Sequence, residues 1–333
     1  MMDRLDSITL APPIGKNTKN YRSRGGKPIK KPWTRDDTHI TILTLPTVIW
    51  YILFCYLPMF GIFIAFINYR INGGFLNSLI TSPWVGLDNF KFLFSGTDIW
   101  FIIRNTLLYS TVLIICGIVL PVIFALIVSE LRQKSMAKIY QTLMFFPYFL
   151  SWVVVSALVL GFLSYDMGIV NDIMARLGLE RVFWYRERAF WPPFLVFTSQ
   201  WKGLGNGMIL YLAAITAMDK SVFEAAIIDG ATKIQQIWYI TLPLLKRLIV
   251  LMLIIAVGGL FRSDFGLFFQ VPRNSGAIFD VVYTIDVYVY QQLQASTIGM
   301  ASAAAFLQSV LSCILILTAN WIVNKVDTDL AMI

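Results

Sequence analysis

Polar and charged side chains inside apolar stretches are the residues of this sequence that could bind a solute. Four of them lie in the stretch 191–217 at helical spacing and share one helix face: Ser199, Lys202, Gly203 and Asn206. Arg262 and Asp264 lie in a second apolar stretch, 248–269. A charge at membrane depth costs on the order of several kcal/mol unless it meets water or a partner, which favours a binding role. The alternatives are that Lys202 extends to the membrane interface, and that Arg262 and Asp264 form a salt bridge or an interfacial anchor.

Residues suited to covalent or metal chemistry are scarce in this chain. The only histidine is His39, and the cysteines Cys55, Cys116 and Cys313 lie in three separate apolar stretches without metal-ligand spacing. An intramembrane enzyme would need a nucleophile with its base, or a set of metal ligands. The sequence therefore argues against an enzyme and against a cofactor bound by this chain.

The composition predicts the environment of the chain. Of its 333 residues, 57% are hydrophobic and only 14% are charged, and the mean hydropathy is +0.69. So few charges cannot solvate a soluble surface of this size, and we expect an all-α integral membrane protein. About twenty apolar residues cross a bilayer as a helix. Six stretches meet this requirement: 42–68, 105–129, 139–163, 191–217, 248–269 and 299–323.

The basic residues set the predicted orientation. The net charge is +8, and lysines and arginines crowd the chain before the first span and recur in the segments 130–138 and 218–247. This distribution is typical of cytoplasmic flanks, whereas the motifs of nucleic-acid binding are missing. We therefore expect a basic cytoplasmic tail at 1–41, a transmembrane domain at 42–325 and a cytoplasmic tail at 326–333. Both termini then face the cytoplasm, where the basic tail can contact anionic membrane lipid.

The polar segment 218–247 between the fourth and fifth spans is predicted to present a helix to the cytoplasm. Ser221 followed by Glu224 predicts a capping box, and an apolar stripe continues behind it at helical spacing. Gly230 is expected to bend or break this helix, and Pro243 to end the unit before the fifth span. On these patterns alone, the segment is either a capped amphipathic linker or a docking helix for a soluble partner.

The same segment resembles the EAA loop of bacterial type I ABC-importer permeases. The matching residues are Glu224, Ala225, Ala226, Asp229, Gly230, Ala231, Ile240, Leu242 and Pro243. Further stretches resemble sugar permeases of the maltose-type and LplB-like families: Leu57–Gly61, Phe146–Tyr148, Trp201–Gly203 and Asp286–Tyr290. The chain is thus similar, over most of its length, to the permease subunit of a carbohydrate importer in a bacterial cell membrane.

The resemblance implies a type I (MetI-like) permease fold with six transmembrane helices and no chemistry of its own. It implies three kinds of partner: a second, unlike permease subunit, a cytoplasmic ABC ATPase dimer that holds ATP and magnesium, and an extracellular binding protein that delivers an oligosaccharide. No Walker A sequence occurs in this chain. The EAA-loop residues would dock on the ATPase, so that a bulky residue at Gly230 is expected to uncouple a chain that still folds.

The resemblance also carries the sugar-contacting positions of maltose-type permeases onto this chain: Tyr148, Trp152, Ser199, Lys202, Gly203 and Asn206. Arg262 and Asp264 join them because of their charge within the fifth predicted span. A cation at Lys202 or Arg262 would suit an acidic sugar such as a uronate. The competing class is a stand-alone secondary transporter of small solutes. It would need intramembrane acids and usually paired repeats, whereas acids are almost absent from the spans.

Overall fold

A computed structural model describes residues 35–95 and 98–326 of the chain, which divides into two compact units at 1–59 and 60–333. The predicted tails therefore lie outside the described residues, apart from 35–41 and Val326. Apart from one isolated bridge between Ile67 and Trp84, the regular structure in this described part is helical. The α-helices are α1 (Arg35–Tyr51), α2 (Phe75–Thr81), α3 (Asp88–Ser95), α4 (Asp98–Ser129), α5 (Lys134–Phe145), α6 (Trp152–Leu163), α7 (Ile169–Arg176), α8 (Trp191–Thr216), α9 (Lys220–Ile228), α10 (Lys233–Gln236), α11 (Leu242–Gly258), α12 (Phe279–Val282), α13 (Ile285–Gln294) and α14 (Ile298–Val326).

Shorter turns of other helix types connect several of these elements. The π-helical turns are Ile52–Tyr56, Ile237–Thr241 and Gly266–Gln270. The 3₁₀ segments are Leu57–Phe66, Phe146–Phe149, Trp184–Arg186 and Gly276–Ile278. The π turns matter for function, because they are enriched at functional sites and two of them adjoin the candidate sites below.

Four helical stretches are long and apolar enough to cross a membrane: Asp37–Phe66, Ile99–Ser129, Lys233–Gly258 and Ile298–Lys325. A fifth is a bent pair formed by α5, with its 3₁₀ extension, and α6. The predicted span at 191–217 is helical as α8, but Gln200, Lys202 and Asn206 make it more polar than the others. By length and composition the described residues therefore contain four or five spans, rather than the six predicted.

The third predicted span, 139–163, is not one straight helix. Its two halves meet at an angle of 97° at residues 150–151. Pro147 has no backbone N–H to continue the helical ladder, and Leu150 adopts an extended conformation. Ser151 then starts α6 as its N-cap, since its hydroxyl accepts a hydrogen bond from the Val154 N–H at 3.3 Å. The sequence did not predict this bend, because apolar content does not reveal where a helix breaks.

The fifth predicted span, 248–269, has different bounds in the structure. The helix begins at Lys233, fifteen residues earlier than predicted, and ends at Gly258. Pro243 does not end the preceding unit, because it lies inside this continuous helix, directly after the π turn Ile237–Thr241 and Leu242. Residues 259–265 then form an irregular turn, which we call the exit turn, before the π turn that begins at Gly266.

The centre of the larger unit is the pair α4 and α8, which pack along each other. Glycines on α8 allow the close approach of its neighbours. A Cβ at Gly205 would collide with the backbone at Met144, and one at Gly207 would lie 2.9 Å from the Pro121 ring. α11 and α13 both pack on α14. This arrangement brings the exit turn beside α4, α13 and α14.

Candidate functional site

The first candidate site is the segment 218–247, which we call the coupling loop. It folds as two short helices, α9 and α10, and the second continues through a π turn into α11. The predicted capping box at Ser221 and Glu224 is wrong, because the helix begins one residue before Ser221. Asp219 is the N-cap instead, and its carboxylate accepts a hydrogen bond from the Ser221 N–H at 2.9 Å. This bond lowers the pKa of Asp219, so the capping interaction is present above the ordinary carboxyl pKa and is lost as the pH falls through the lowered value.

Gly230 separates the two helices and confirms the predicted break. Its φ of +81° lies in the left-handed region, which glycine adopts without strain. The Gly230 N–H donates to the Ile227 carbonyl at 3.0 Å, and the Ala231 N–H donates to the Ala226 carbonyl at 2.9 Å. This pair of bonds is the Schellman arrangement that closes a helix C-terminus. The glycine therefore sets the angle between α9 and α10.

The second helix of the coupling loop is capped and tied down. Thr232 and Gln235 form a reciprocal capping box at its start. The Gln236 side-chain amide donates to the Ala231 carbonyl at 3.0 Å, which holds the turn from the other side. Lys233 forms a salt bridge of 3.1 Å with Glu130, which directly follows α4. These contacts make α9 the free end of the loop.

The EAA-type residues lie on the exposed part of this loop. Glu224, Ala225, Asp229 and Gly230 are exposed, whereas Ala226, Ala231 and Leu242 are half-buried; Pro243 is exposed on α11. The most exposed apolar side chain of α9 is Ile228, at 85%, and its neighbour Ile227 is 56% exposed. Burial of one such side chain against a partner is worth about 1.5–3 kcal/mol, so α9 presents a surface suited to docking.

The second candidate site joins α8 to the break between α5 and α6. Lys202 donates to the Tyr148 carbonyl at 3.0 Å. Its ammonium lies 5.2 Å from the centre of the Tyr148 ring and 5.1 Å from that of Trp152. Both distances are within the range of cation–π attraction. The position of the Lys202 ammonium beside the break is thus set by contacts within this chain: the Tyr148 carbonyl and the two aromatic rings.

Trp152 extends this cluster to the exit turn. Its indole N–H donates to the Asp264 carboxylate at 2.9 Å, and the other oxygen of Asp264 accepts the Leu267 N–H at 3.3 Å. Gly266 permits this approach, because a Cβ there would overlap the Trp152 ring. Four predicted residues therefore form one connected group: Lys202, Tyr148, Trp152 and Asp264. We call it the aromatic–ionic cluster.

A cavity of about 410 Å³ lies between α4, α8 and α11 and contains Arg262 and Asp264 in its lining. Arg262 forms no ion pair among the described residues, so the predicted salt bridge with Asp264 is absent there. Ser199, Lys202, Gly203 and Asn206 do not line this cavity. The cavity and the aromatic–ionic cluster meet at Asp264.

Sequence reasoning did not select two further residues of this cavity. Ser110 lines it from α4 and Tyr211 from α8. Ser110 is a polar group inside an apolar stretch, a signal that could have selected it. Tyr211 carries no such signal, because a tyrosine in an apolar helix is common at membrane interfaces.

Comparison with known proteins agrees with this architecture. The sequence model of the family described as "Binding-protein-dependent transport system inner membrane component" matches residues 117–328. The protein LplB of Bacillus subtilis (strain 168) is 32% identical to this chain over 88% of it and 91% of LplB. The polygalacturonan/rhamnogalacturonan transport system permease protein YteP of the same organism is also 32% identical, over 86% of this chain and 88% of YteP.

Solved structures extend the similarity to three dimensions. The crystal structure of a bacterial ABC transporter involved in the import of the acidic polysaccharide alginate contains a chain that superposes with a TM-score of 0.78 and 31% identity. The match covers 88% of this chain and 97% of that one. A second crystal structure, of the alginate transporter in complex with its pentasaccharide-bound periplasmic protein, superposes with a TM-score of 0.77. The chain belongs to the family of inner-membrane components of binding-protein-dependent transport systems and has its all-helical MetI-like permease fold.

Proposed function

We propose that this chain is one of two permease subunits of an ATP-driven importer of oligosaccharides. An extracellular binding protein delivers the sugar, and an ABC ATPase dimer in the cytoplasm binds ATP and Mg²⁺ and hydrolyses the nucleotide. The observation that best supports this proposal is the coupling loop, which presents exposed isoleucines and EAA-type residues. It connects α8 and α11, and both of these helices line one cavity. This chain transmits motion, and its own residues perform no covalent step.

The topology proposed with this function has six spans and both termini in the cytoplasm. α8 is the span that composition alone does not identify, since Gln200, Lys202 and Asn206 lower its hydropathy. Lys202 supports this view, because its ammonium is engaged by a carbonyl and two aromatic rings. These contacts lower the free-energy cost of placing the Lys202 charge within a membrane-spanning helix.

Coupling follows from the geometry of the coupling loop. Docking of α9 on an ATPase subunit would bury Ile227 and Ile228, while Glu224 supplies a charged group at the rim. Because α10 continues into α11 without a break, a movement of the loop acts on a helix that lines the cavity. ATP and the loaded binding protein then bias the same two-state equilibrium from opposite sides of the membrane.

The cargo that the site favours is an acidic oligosaccharide, such as a chain of uronates. Two cations support this: Arg262, which lines the cavity without an ionic partner among the described residues, and Lys202, beside two aromatic rings. Guanidinium and ammonium groups bind carboxylates with charge-assisted hydrogen bonds, and aromatic faces suit the C–H surface of a sugar ring. The names of YteP and of the alginate transporter refer to acidic polysaccharides, which is consistent with this assignment.

The test is gentle purification of the tagged chain from native membranes, followed by reconstitution in proteoliposomes with whatever copurifies. We expect an ATPase and a second permease chain, and uptake that requires ATP inside and binding protein outside. Uptake by the lone chain under an ion gradient, without ATP, would instead establish a secondary transporter. Equal uptake of acidic and neutral oligosaccharides would remove the assignment of an acidic cargo.

A further inference from the structure

The exit turn (residues 259–265) carries both charged residues of the cavity on irregular backbone. Non-helical backbone at membrane depth needs partners for its polar groups, because lipid supplies none. Within this turn the Arg262 N–H donates to the Gly259 carbonyl at 2.8 Å. The Phe261 carbonyl, the Arg262 carbonyl and the Ser263 N–H are hydrogen-bonded by side chains of other helices. The exit turn is therefore stabilised by side-chain hydrogen bonds from other helices more than by backbone hydrogen bonds of its own.

Asp286, in the first turn of α13, provides the central contact. Its carboxylate accepts the Ser263 backbone N–H at 2.6 Å and the Ser263 hydroxyl at 2.8 Å. The same hydroxyl lies 2.8 Å from that of Thr284, which is fully buried. Hydrogen bonds to a carboxylate are about twice as strong as those between neutral groups. Asp286 is not part of the cavity lining.

Gln308 and Ser110 complete this set of contacts. The buried amide of Gln308, on α14, donates to the Phe261 carbonyl at 2.8 Å and reaches the Asp286 carboxylate at 3.2 and 3.3 Å. Ser110, on α4, donates to the Arg262 carbonyl at 2.8 Å. Side chains of α4, α13 and α14 thus bond consecutive peptide groups of the exit turn. Asp286 also links α13 to α14 through its contact with Gln308.

We propose that Asp286 is a positioning residue of the transport pathway: with Gln308 it locks the exit turn so that Arg262 and Asp264 face the cavity. This inference rests on the proposed function, since the cavity is taken as part of the pathway. Asp286 does not touch the cargo. It acts by restricting the turn, so that the charge of Arg262 and the Asp264 contact with Trp152 keep one geometry.

Hydrogen–deuterium exchange of the intact reconstituted complex tests the lock without any substrate. We expect Asp286→Ala to speed exchange in a peptide spanning 259–268 by about tenfold or more, because a charge-assisted bond to the Ser263 N–H is lost. Asp286→Asn should give a smaller increase, since an amide oxygen still accepts from Ser263. Asp280→Asn is the matched control: its carboxylate pairs with Arg188 at 3.2 Å, away from the exit turn, and exchange there should not change.

Transport kinetics supply the second readout, with trigalacturonate as the probe. We expect Asp286→Asn to raise its KM about tenfold while complex assembly and kcat stay within about twofold of the parent, and Asp280→Asn to change neither. Unchanged exchange in both Asp286 variants would overturn the lock. Faster exchange with an unchanged KM would overturn its role in the pathway. If the parent complex does not take up trigalacturonate, the acidic cargo has failed, whereas the exchange result still decides the lock.

Discussion

Replacement of Gly230 tests whether the backbone geometry of the coupling loop carries the coupling. The φ of +81° is strained for any residue with a Cβ, at a cost on the order of 1–2 kcal/mol. A Cβ built at Gly230 meets no atom within 4 Å, so the expected effect within this chain is conformational and not steric. Since 1.4 kcal/mol is about tenfold in an equilibrium, Gly230→Ala should lower the population of the native turn by about 5- to 30-fold at most.

The series Gly230→Asn, Gly230→Ala and Gly230→Val distinguishes conformational strain in the loop from steric overlap of the new side chain. Asparagine tolerates the left-handed region better than alanine, and a β-branched residue tolerates it least. We therefore expect the number of cargo molecules imported per ATP to fall in that order, while the complex still assembles. Apparent ATPase affinity should fall in parallel, because only the native turn can dock.

Gly178 provides a matched control for this series. It lies in the segment between α7 and α8, with a φ of +77°, open space around it, and the same pair of closing hydrogen bonds. Gly178→Ala should add similar strain without loss of coupling. The measurement is ATP hydrolysis and uptake in the same proteoliposomes. If the loss of coupling instead follows side-chain volume, with alanine less damaging than asparagine, packing at the ATPase surface decides and the conformational argument is refuted.

Further predictions concern the aromatic–ionic cluster and the loop salt bridge. Lys202→Met removes the cation and should reduce uptake of an acidic trisaccharide about tenfold relative to a neutral one, measured by competition; equal losses would refute a charge-specific role. Trp152→Phe keeps a ring but loses the bond to Asp264, so KM should rise by about tenfold at most; an unchanged KM would show that this bond does not order the site. Lys233→Ala breaks an exposed pair with Glu130 worth less than about 1 kcal/mol, so thermal stability and coupling should stay near parental values, and a large loss of either would contradict this.

The fold class follows from the sequence because membrane helices are specified locally. Two predicted spans, 105–129 and 299–323, lie within α4 and α14, since continuous apolar residues decide both their existence and their length. The break after α9 was equally predictable, because Gly230 marks it by residue type. The bend between α5 and α6 was not, because proline is tolerated in some membrane helices and breaks others according to their neighbours.

The candidate sites divide in the same way. The coupling loop is a contiguous motif, so its residues could be selected from their order along the chain, although the cap proved to be Asp219 rather than Ser221. The pathway residues were selected one by one, and nothing in their spacing showed that Trp152 would donate to Asp264 across more than a hundred positions. A polar residue in an apolar stretch indicates that its side chain has a partner, but it does not indicate which residue that partner is.

By itself, the sequence determined that this chain is a helical membrane protein with an exposed EAA loop. Those properties depend on composition, on periodicity and on a motif within a few turns of helix. Tertiary structure alone decided that the Lys202 ammonium lies near two aromatic rings, that Arg262 lines a cavity, and that Asp286 accepts a hydrogen bond from Ser263 in the exit turn. The physical reason is that such contacts join distant helices, and their distances depend on how small residues such as Gly205 and Gly266 let those helices approach.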